Sequence, residues 1–483
     1  MVRWFSACLP FAALFALAGC GGAEDEGAVE IALIGQPEML TQRGLRLSPP
    51  AQQVRAATVE GLVALNETGE VVPALAERWI VTDDGLSYIF RLRNSEWPGG
   101  EAMSAGQVRD ALRGAIRELG GTSLALDLAP LSEIRAMTGR VIEFRLSSPM
   151  PDFLQLLAQP ELGVLHKGRG SGPMALERRQ QGAWLSLLPP EARGLPIRAN
   201  WREDTRILGV RALSARAAVA AFQDDAVDLV LGGTLADLPL ADIGPLSRGT
   251  VRLDAAQGLF GLRVLRAEGL LADPERREAL AMAIERENLL VAFNIAGWMP
   301  STRLVPTEAA AGAPERWPGQ PIEQRRAQAS RRVAGFAGDK VLRIDLPQGV
   351  GSDLVLRKLA ADWQAIGVRL VRARGGEQAD LELVDVLARF GGRRWYLNQF
   401  ACRVRRALCS PEADELVRQA VRQRDPVARE TMLAEAEARL VAKQAYIPLG
   451  SPVRWSLVRG QIEGFAENRW AVHPLHPLAL APT

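Results

Sequence analysis

Short runs along the chain alternate apolar and polar residues with a period of two, as half-buried strands do. Val29–Gly35 (VEIALIG) reads as a first strand. Phe90-Arg91-Leu92-Arg93 alternates at the end of a strand that begins at Ser87. The turn Asp83-Asp84-Gly85 precedes it, and the stretch from Ala74 reads as the polar end of a helix. Val141–Leu146 is a further strand, with Ile142, Phe144 and Leu146 on one side. Other stretches carry the helical period. Ser104 and Gln107 form a capping box, and Val108, Leu112, Ala115 and Ile116 follow as one apolar face. Asp273-Pro274-Glu275 opens a long helix through capping, proline at the first position and favourable charge. Leu280, Ala283, Ile284, Leu290 and Val291 supply its buried side.

Residues 341–386 give the clearest fold signal. Leu342, Ile344 and Leu346 alternate with Arg343 and Asp345, which predicts a strand. A helix capped by Ser352 follows, with Val355, Leu359, Trp363 and Ile366 at helical spacing and Gly367 at its end. Val368–Val371 and Ala379–Val386 are strands again. Strand, helix and strand within so short a span form a βαβ unit and imply a parallel sheet. Ser410-Pro411 and Asp425-Pro426 repeat the cap-then-proline signal and start helices that run to about Gln423 and Lys443.

Composition narrows the function classes. The chain has 483 residues, 48% hydrophobic and 24% charged, as globular proteins do. Lys+Arg total 58 against Asp+Glu 56, so the global basic charge of a general nucleic-acid binder is missing. Three histidines argue against histidine-rich metal chemistry. No Gly-x-Ser-x-Gly elbow or His-Glu-x-x-His occurs, and Gly168–Gly172 lacks the Lys-Ser/Thr of a phosphate loop, so it reads as a tight turn using positive φ.

The amino-terminal segment indicates export. Arg3 precedes the apolar run Trp4–Ala18, which is too short for a comfortable membrane span and reads as a secretory signal. Leu17-Ala18-Gly19-Cys20 resembles a bacterial lipobox. The resemblance implies cleavage after residue 19 and lipidation of Cys20, with residues 20–27 as a flexible tether. No later stretch is apolar enough to span a bilayer. Cys402 and Cys409 are then the two cysteines of the mature body, and in an oxidising compartment they are expected to pair.

Several ordered stretches together resemble one family, the peptide- and nickel-type solute-binding proteins of bacterial ABC importers. They include Val72-Pro73-Ala74-Leu75-Ala76-Glu77-Arg78-Trp79, Asp84–Tyr88, Gly99-Gly100-Glu101, Gly170-Ser171-Gly172-Pro173, Val227-Asp228-Leu229, Asp273-Pro274 through Glu287, Ile447-Pro448-Leu449 and Val453-Arg454-Trp455. The resemblance implies an α/β, periplasmic-binding-protein-like fold with two lobes joined by hinge strands and an extra domain inserted in the first lobe. On this pattern the first lobe comprises residues 28–47, 166–262 and 453–483. The insert is 48–165 and the second lobe 263–452. Ligand would be enclosed between the lobes, and closure would be read by a permease.

One stretch departs from the pattern. Peptide-binding members carry aspartates in the second lobe that receive the peptide's amino terminus. The matching place here reads Gly391-Gly392-Arg393-Arg394, although Asp385 stands nearby. Arg389, Arg393, Arg394, Arg403, Arg405 and Arg406 make this region basic. Arginine forks bind carboxylate or phosphate, so Arg389, Arg393, Arg394 and Asn398, with Trp395, Tyr396 and Phe400 stacking, are the candidate ligand contacts. The other reading is a solvated loop, with the three aromatics in the core. Arg403, Arg405 and Arg406 fall within the expected disulfide loop and read as surface. His473 and His476 match the family's terminal pattern, and no metal or other cofactor is expected.

The expectation is an extracytoplasmic, lipid-anchored receptor, monomeric and without chemistry of its own. It would deliver a peptide-like or anionic small ligand to an ABC permease, with no role for nucleic acid. Its place is the periplasm of a Gram-negative host, held to a membrane by lipid. The alternative is an envelope scaffold or docking lipoprotein that keeps the fold but has lost transport. Gly21 after the lipid cysteine lacks the aspartate of the inner-membrane retention signal, which gives that alternative some weight.

Overall fold

The protein is described by a computed structural model covering residues 27–481 apart from 243, 245–248, 296, 307–313, 405 and 406. The expected signal segment and Cys20, like Arg405 and Arg406, lie outside the described residues. Among the described residues, no helix is long and apolar enough to cross a membrane.

Two sheets dominate. The first has seven strands, with Val29–Ile34 near its centre. That strand pairs in parallel with Leu208–Leu213 on one side and Leu229–Thr234 on the other. Its near-continuous apolar sequence fits burial on both faces. Arg454–Val458 and Val251–Asp254 extend the sheet antiparallel. The second sheet has five strands. Val341–Asp345 pairs in parallel with Arg369–Arg372 and Leu381–Leu387, through the expected βαβ unit. Gly258–Val264 and Tyr446–Gly450 join antiparallel, so this sheet is mixed. Gly258–Val264 pairs wholly with the second sheet, and the expected limit at 262/263 falls inside it. The chain passes between the two sheets at residues 255–257 and 451–453. Two such short connections permit rotation about a common line, which is a hinge geometry.

A third unit, within residues 48–165, carries a four-stranded antiparallel sheet. Phe90, Phe144 and Phe153 are fully buried in it, with ring centroids 5.5 and 5.7 Å apart in successive edge-on pairs. Its core is continuous with that of the helices Pro411–Ala420 and Pro426–Ala442.

Local signals hold where the partner is two or three residues away. Ser104, Ser410, Asp273 and Asp425 cap their helices by accepting backbone N–H bonds. Other readings are corrected. Ala76–Val81 is a strand rather than a helix end, forming a hairpin with Ser87–Leu92. Thr82 and Asp84 fix its turn by accepting from the amides of Ser87 and Leu86. The helix from Pro274 stops at Ala283. The buried Arg286 guanidinium donates to the carbonyls of Ala281, Ile284 and Pro448 there, and Val291 is exposed. The helix of the βαβ unit starts at Val350 after Gly349, whose φ of 152° suits glycine, so Ser352 lies inside it. Only Gly168 of the 168–172 turn has positive φ. Gly170 and Gly172 are required by close approach instead, because a Cβ on either would collide with the backbone of Thr58 or Val59.

Candidate functional site

Where the two sheets and the insert meet there is a cavity of about 490 Å³. It opens beyond the carboxyl ends of the parallel strands Val29–Ile34 and Leu229–Thr234, where open α/β sheets leave a crevice. Ile34 and Thr234 come from the first sheet, Pro49 and Glu60 from the insert, and Asp385 and Arg389 from the second lobe. The size lies within the ~300–1,000 Å³ typical of small-ligand sites.

The charged groups on its wall are mostly paired. Arg454 donates to the Asp385 carboxylate at 2.6 Å, joining the first sheet to the second beside the hinge. Glu60 is held by Arg93, which also donates to the Ala74 carbonyl at 2.6 Å. Burial pushes the Glu60 carboxyl up, against the pull of Arg93. Asp254 accepts from the Asn468 amide at 2.9 Å and lies 3.1 Å from Nε2 of the buried His473. Arg389 reaches Asp127 of the insert at 3.1 Å and Ser123 at 3.2 Å. Arg193 also lines the wall, half-buried, and its Nε is shielded from solvent with no hydrogen-bond partner among the described residues. Burial, then Arg193 beside it, holds the His476 imidazole down to about 4, so it is neutral at neutral pH.

The residues expected from the sequence to touch ligand are distributed differently. Arg389 lines the cavity. Arg393, 6% exposed, is ion-paired with Glu430 at 2.7 Å and with the buried Glu437. Arg394 donates to the carbonyls of Leu126 and Asp127, each at 3.0 Å. Asn398 donates to the Asp127 carboxylate at 2.8 Å. Asp127 is completely buried, and its carboxyl is raised by desolvation against the pull of Arg389 and Arg394. Trp395 and Tyr396 are buried and meet edge-on at 4.9 Å, and Phe400 packs on Tyr446 at 5.1 Å. None of these six is among the residues lining the cavity. Burial excludes a solvated loop at 393–400, and the segment ties the insert to the second lobe instead. Cys402 and Cys409 are bonded, with Cα atoms 5.3 Å apart.

Sequence reasoning missed Glu60, Arg193, Asp254 and Arg454 as wall residues. Glu60 carried a signal, a carboxylate between Val59 and the apolar Leu62-Val63. Arg193, in a Pro-Glu-Ala-Arg-Gly loop, carried none.

A family model described as "Bacterial extracellular solute-binding proteins, family 5 Middle" matches residues 70–374. The chain belongs to this family. Family 5 relatives of known structure share the architecture, which fixes the fold as the two-lobed periplasmic binding-protein type. Haemophilus influenzae OppA in complex with the peptide RPPGFSPFR superposes with a TM-score of 0.77 at 18% identity, covering 95% of this chain and 100% of that one. The Escherichia coli murein tripeptide binding protein MppA gives 0.77 at 18%, over 95% and 98%. Brucella suis NikA in complex with Fe(III)-EDTA gives 0.71 at 17%, over 94% and 100%. By sequence, a Pseudomonas aeruginosa "Di/tripeptide-binding protein 2" is 23% identical over 82% of this chain and 84% of that protein. An Escherichia coli "Probable deoxycholate-binding periplasmic protein" is 29% identical, over 23% of this chain and only 24% of its own length. A Bacillus subtilis "Dipeptide-binding protein" is matched over just 22% of its length.

Proposed function

We propose that this family 5 protein is an extracytoplasmic receptor, anchored through a lipid on Cys20. It encloses a peptide-like or small anionic ligand between its lobes and delivers it to an ABC importer in the inner membrane. It acts as a monomer and performs no chemistry of its own. The observation that supports this most is the cavity of about 490 Å³ walled by both lobes and the insert at once, beside the two hinge crossings. A ligand there touches every unit that moves on closure, so its binding energy falls on the closed state. The units are proposed to divide as 28–47, 166–262 and 453–483 for the first lobe, 48–165 for the insert and 263–452 for the second lobe. The strand Gly258–Val264 moves with the second lobe, which shifts that limit back to residue 257.

A second reading, an envelope scaffold, is favoured by one observation. Within the protein itself, Asp385–Arg454 ties the first lobe to the second and Asp127–Arg389 ties the insert to the second lobe. Native mass spectrometry of the protein from its own host's envelope separates the two. A released small molecule supports the receptor. An empty protein, still empty after exposure to spent medium, supports the scaffold.

A further inference from the structure

Three carboxylates line the cavity, Glu60, Asp254 and Asp385, and each is engaged by groups of the protein. A free peptide brings an ammonium, and the wall offers it no unengaged carboxylate among the described residues. Freeing Glu60 or Asp385 leaves its arginine uncompensated, and freeing Asp254 strands the buried His473 ring and the Asn468 amide.

The cations are unequal. Arg454 has Asp385 and Arg389 has Asp127. Arg193 has neither an ion pair nor a side-chain hydrogen bond among the described residues, and its Nε is shielded from water. Glu60 stands on the same wall, but Arg93 takes both of its oxygens. Two arginines therefore face one carboxylate, leaving one positive charge at this end. Neutral His476 adds nothing to it. Much of the remaining wall is aliphatic or proline, including Leu33, Leu47, Pro49, Pro50, Val63 and Leu231. One more polar atom is left over, Nδ1 of His473, a buried residue of the wall whose other ring nitrogen faces Asp254. A hydroxyl satisfies it in either protonation state, because a hydroxyl both donates and accepts.

We infer that the ligand is an amphipathic anion, with a single carboxylate or similar oxyanion on Arg193 and an apolar body against the aliphatic wall. This rests on the receptor reading above and names its ligand class. An arginine fork matches a carboxylate bidentately, and the low-polarity wall strengthens the pair while taking up the apolar body.

The test is calorimetric titration of the mature protein with decanoate, decyl alcohol and trialanine. Decanoate is expected to bind roughly ten- to a hundredfold tighter than the alcohol, the range of a hydrogen bond to a charged group. Arg193→Gln is expected to bring the two within about threefold, and Arg193→Lys to restore part of the difference. Equal binding of acid and alcohol by the unmutated protein overturns the role of Arg193. Trialanine binding with decanoate silent overturns the ligand class and leaves the receptor reading standing. All three silent, together with an empty protein by native mass spectrometry, overturns both.

Discussion

Three arginines of one segment and a single arginine elsewhere in the chain stand near the same cavity and have opposite fates. Arg389, Arg393 and Arg394 dominate the sequence, three cations within six residues with no carboxylate among them. In the fold Arg389 and Arg393 meet Asp127, Glu430 and Glu437, and Arg394 meets backbone carbonyls. Arg193 stands two residues after Glu191, and among the described residues it has no hydrogen-bonded side-chain partner, only the nearby Glu60 that Arg93 already holds. Basic residues in a row report local composition. The charge offered to a ligand is what remains after distant partners are subtracted, and Asp127 is 262 residues from Arg389.

If this contrast is right, stability and ligand affinity separate between the two places. The largest effect is expected at the tie between insert and second lobe. Asp127→Ala leaves Arg389 and the Asn398 amide without their buried partner, and is expected to cost about 3–5 kcal/mol in urea unfolding. Arg393→Gln strands Glu437 and belongs to the same class. Next comes the disulfide. Cys402→Ser with Cys409→Ser is expected to lower stability by about 2.5 kcal/mol, the chain-entropy value for so short a loop, with little change in the cavity.

A pH effect follows from His476. Its folded value is about 4 against an ordinary 6.5. Between these values the unfolded chain binds more protons than the folded one, so stability falls as pH is lowered from 6.5 through about 4. Above 6.5 the group contributes no slope. His476→Gln is expected to flatten that part of a stability–pH curve. The smallest stability effect is expected at the place that matters most for ligand. Arg193→Gln leaves the buried Glu60 still held by Arg93, and unliganded stability is expected to change by no more than about 0.5 kcal/mol.

Much of the architecture was legible because it depends on short-range chemistry and on the order of stretches along the chain. Helix caps at Ser104, Ser410 and Asp425 involve partners three residues away, and they read directly. The βαβ unit at 341–386 read directly too, since each element carries its own period. The turn and the second strand of the hairpin are legible, but its first strand, Ala76–Val81, is not, because Trp79, Ile80 and Val81 break the alternation and Ile80 is exposed. The helix after Pro274 ends early because Arg286 binds Pro448, a contact 162 residues long that no local pattern signals. The site was the least legible part. Asp385 stands beside the stretch where the resemblance expects an ammonium-binding aspartate, but its pairing with Arg454 arises only where two sheets meet. The value of Arg193 lies in the lack of a hydrogen-bonded partner among the described residues, which a sequence does not display.

One measurement tests this contrast directly. Thermal melts of the mature protein, Arg193→Gln and Arg393→Gln would each be recorded with and without decanoate. The expected result is that Arg193→Gln melts like the unmutated protein and loses the ligand-induced rise, while Arg393→Gln melts lower and keeps it. The reverse, with Arg393→Gln melting normally but blind to decanoate and Arg193→Gln still responsive, would contradict the account.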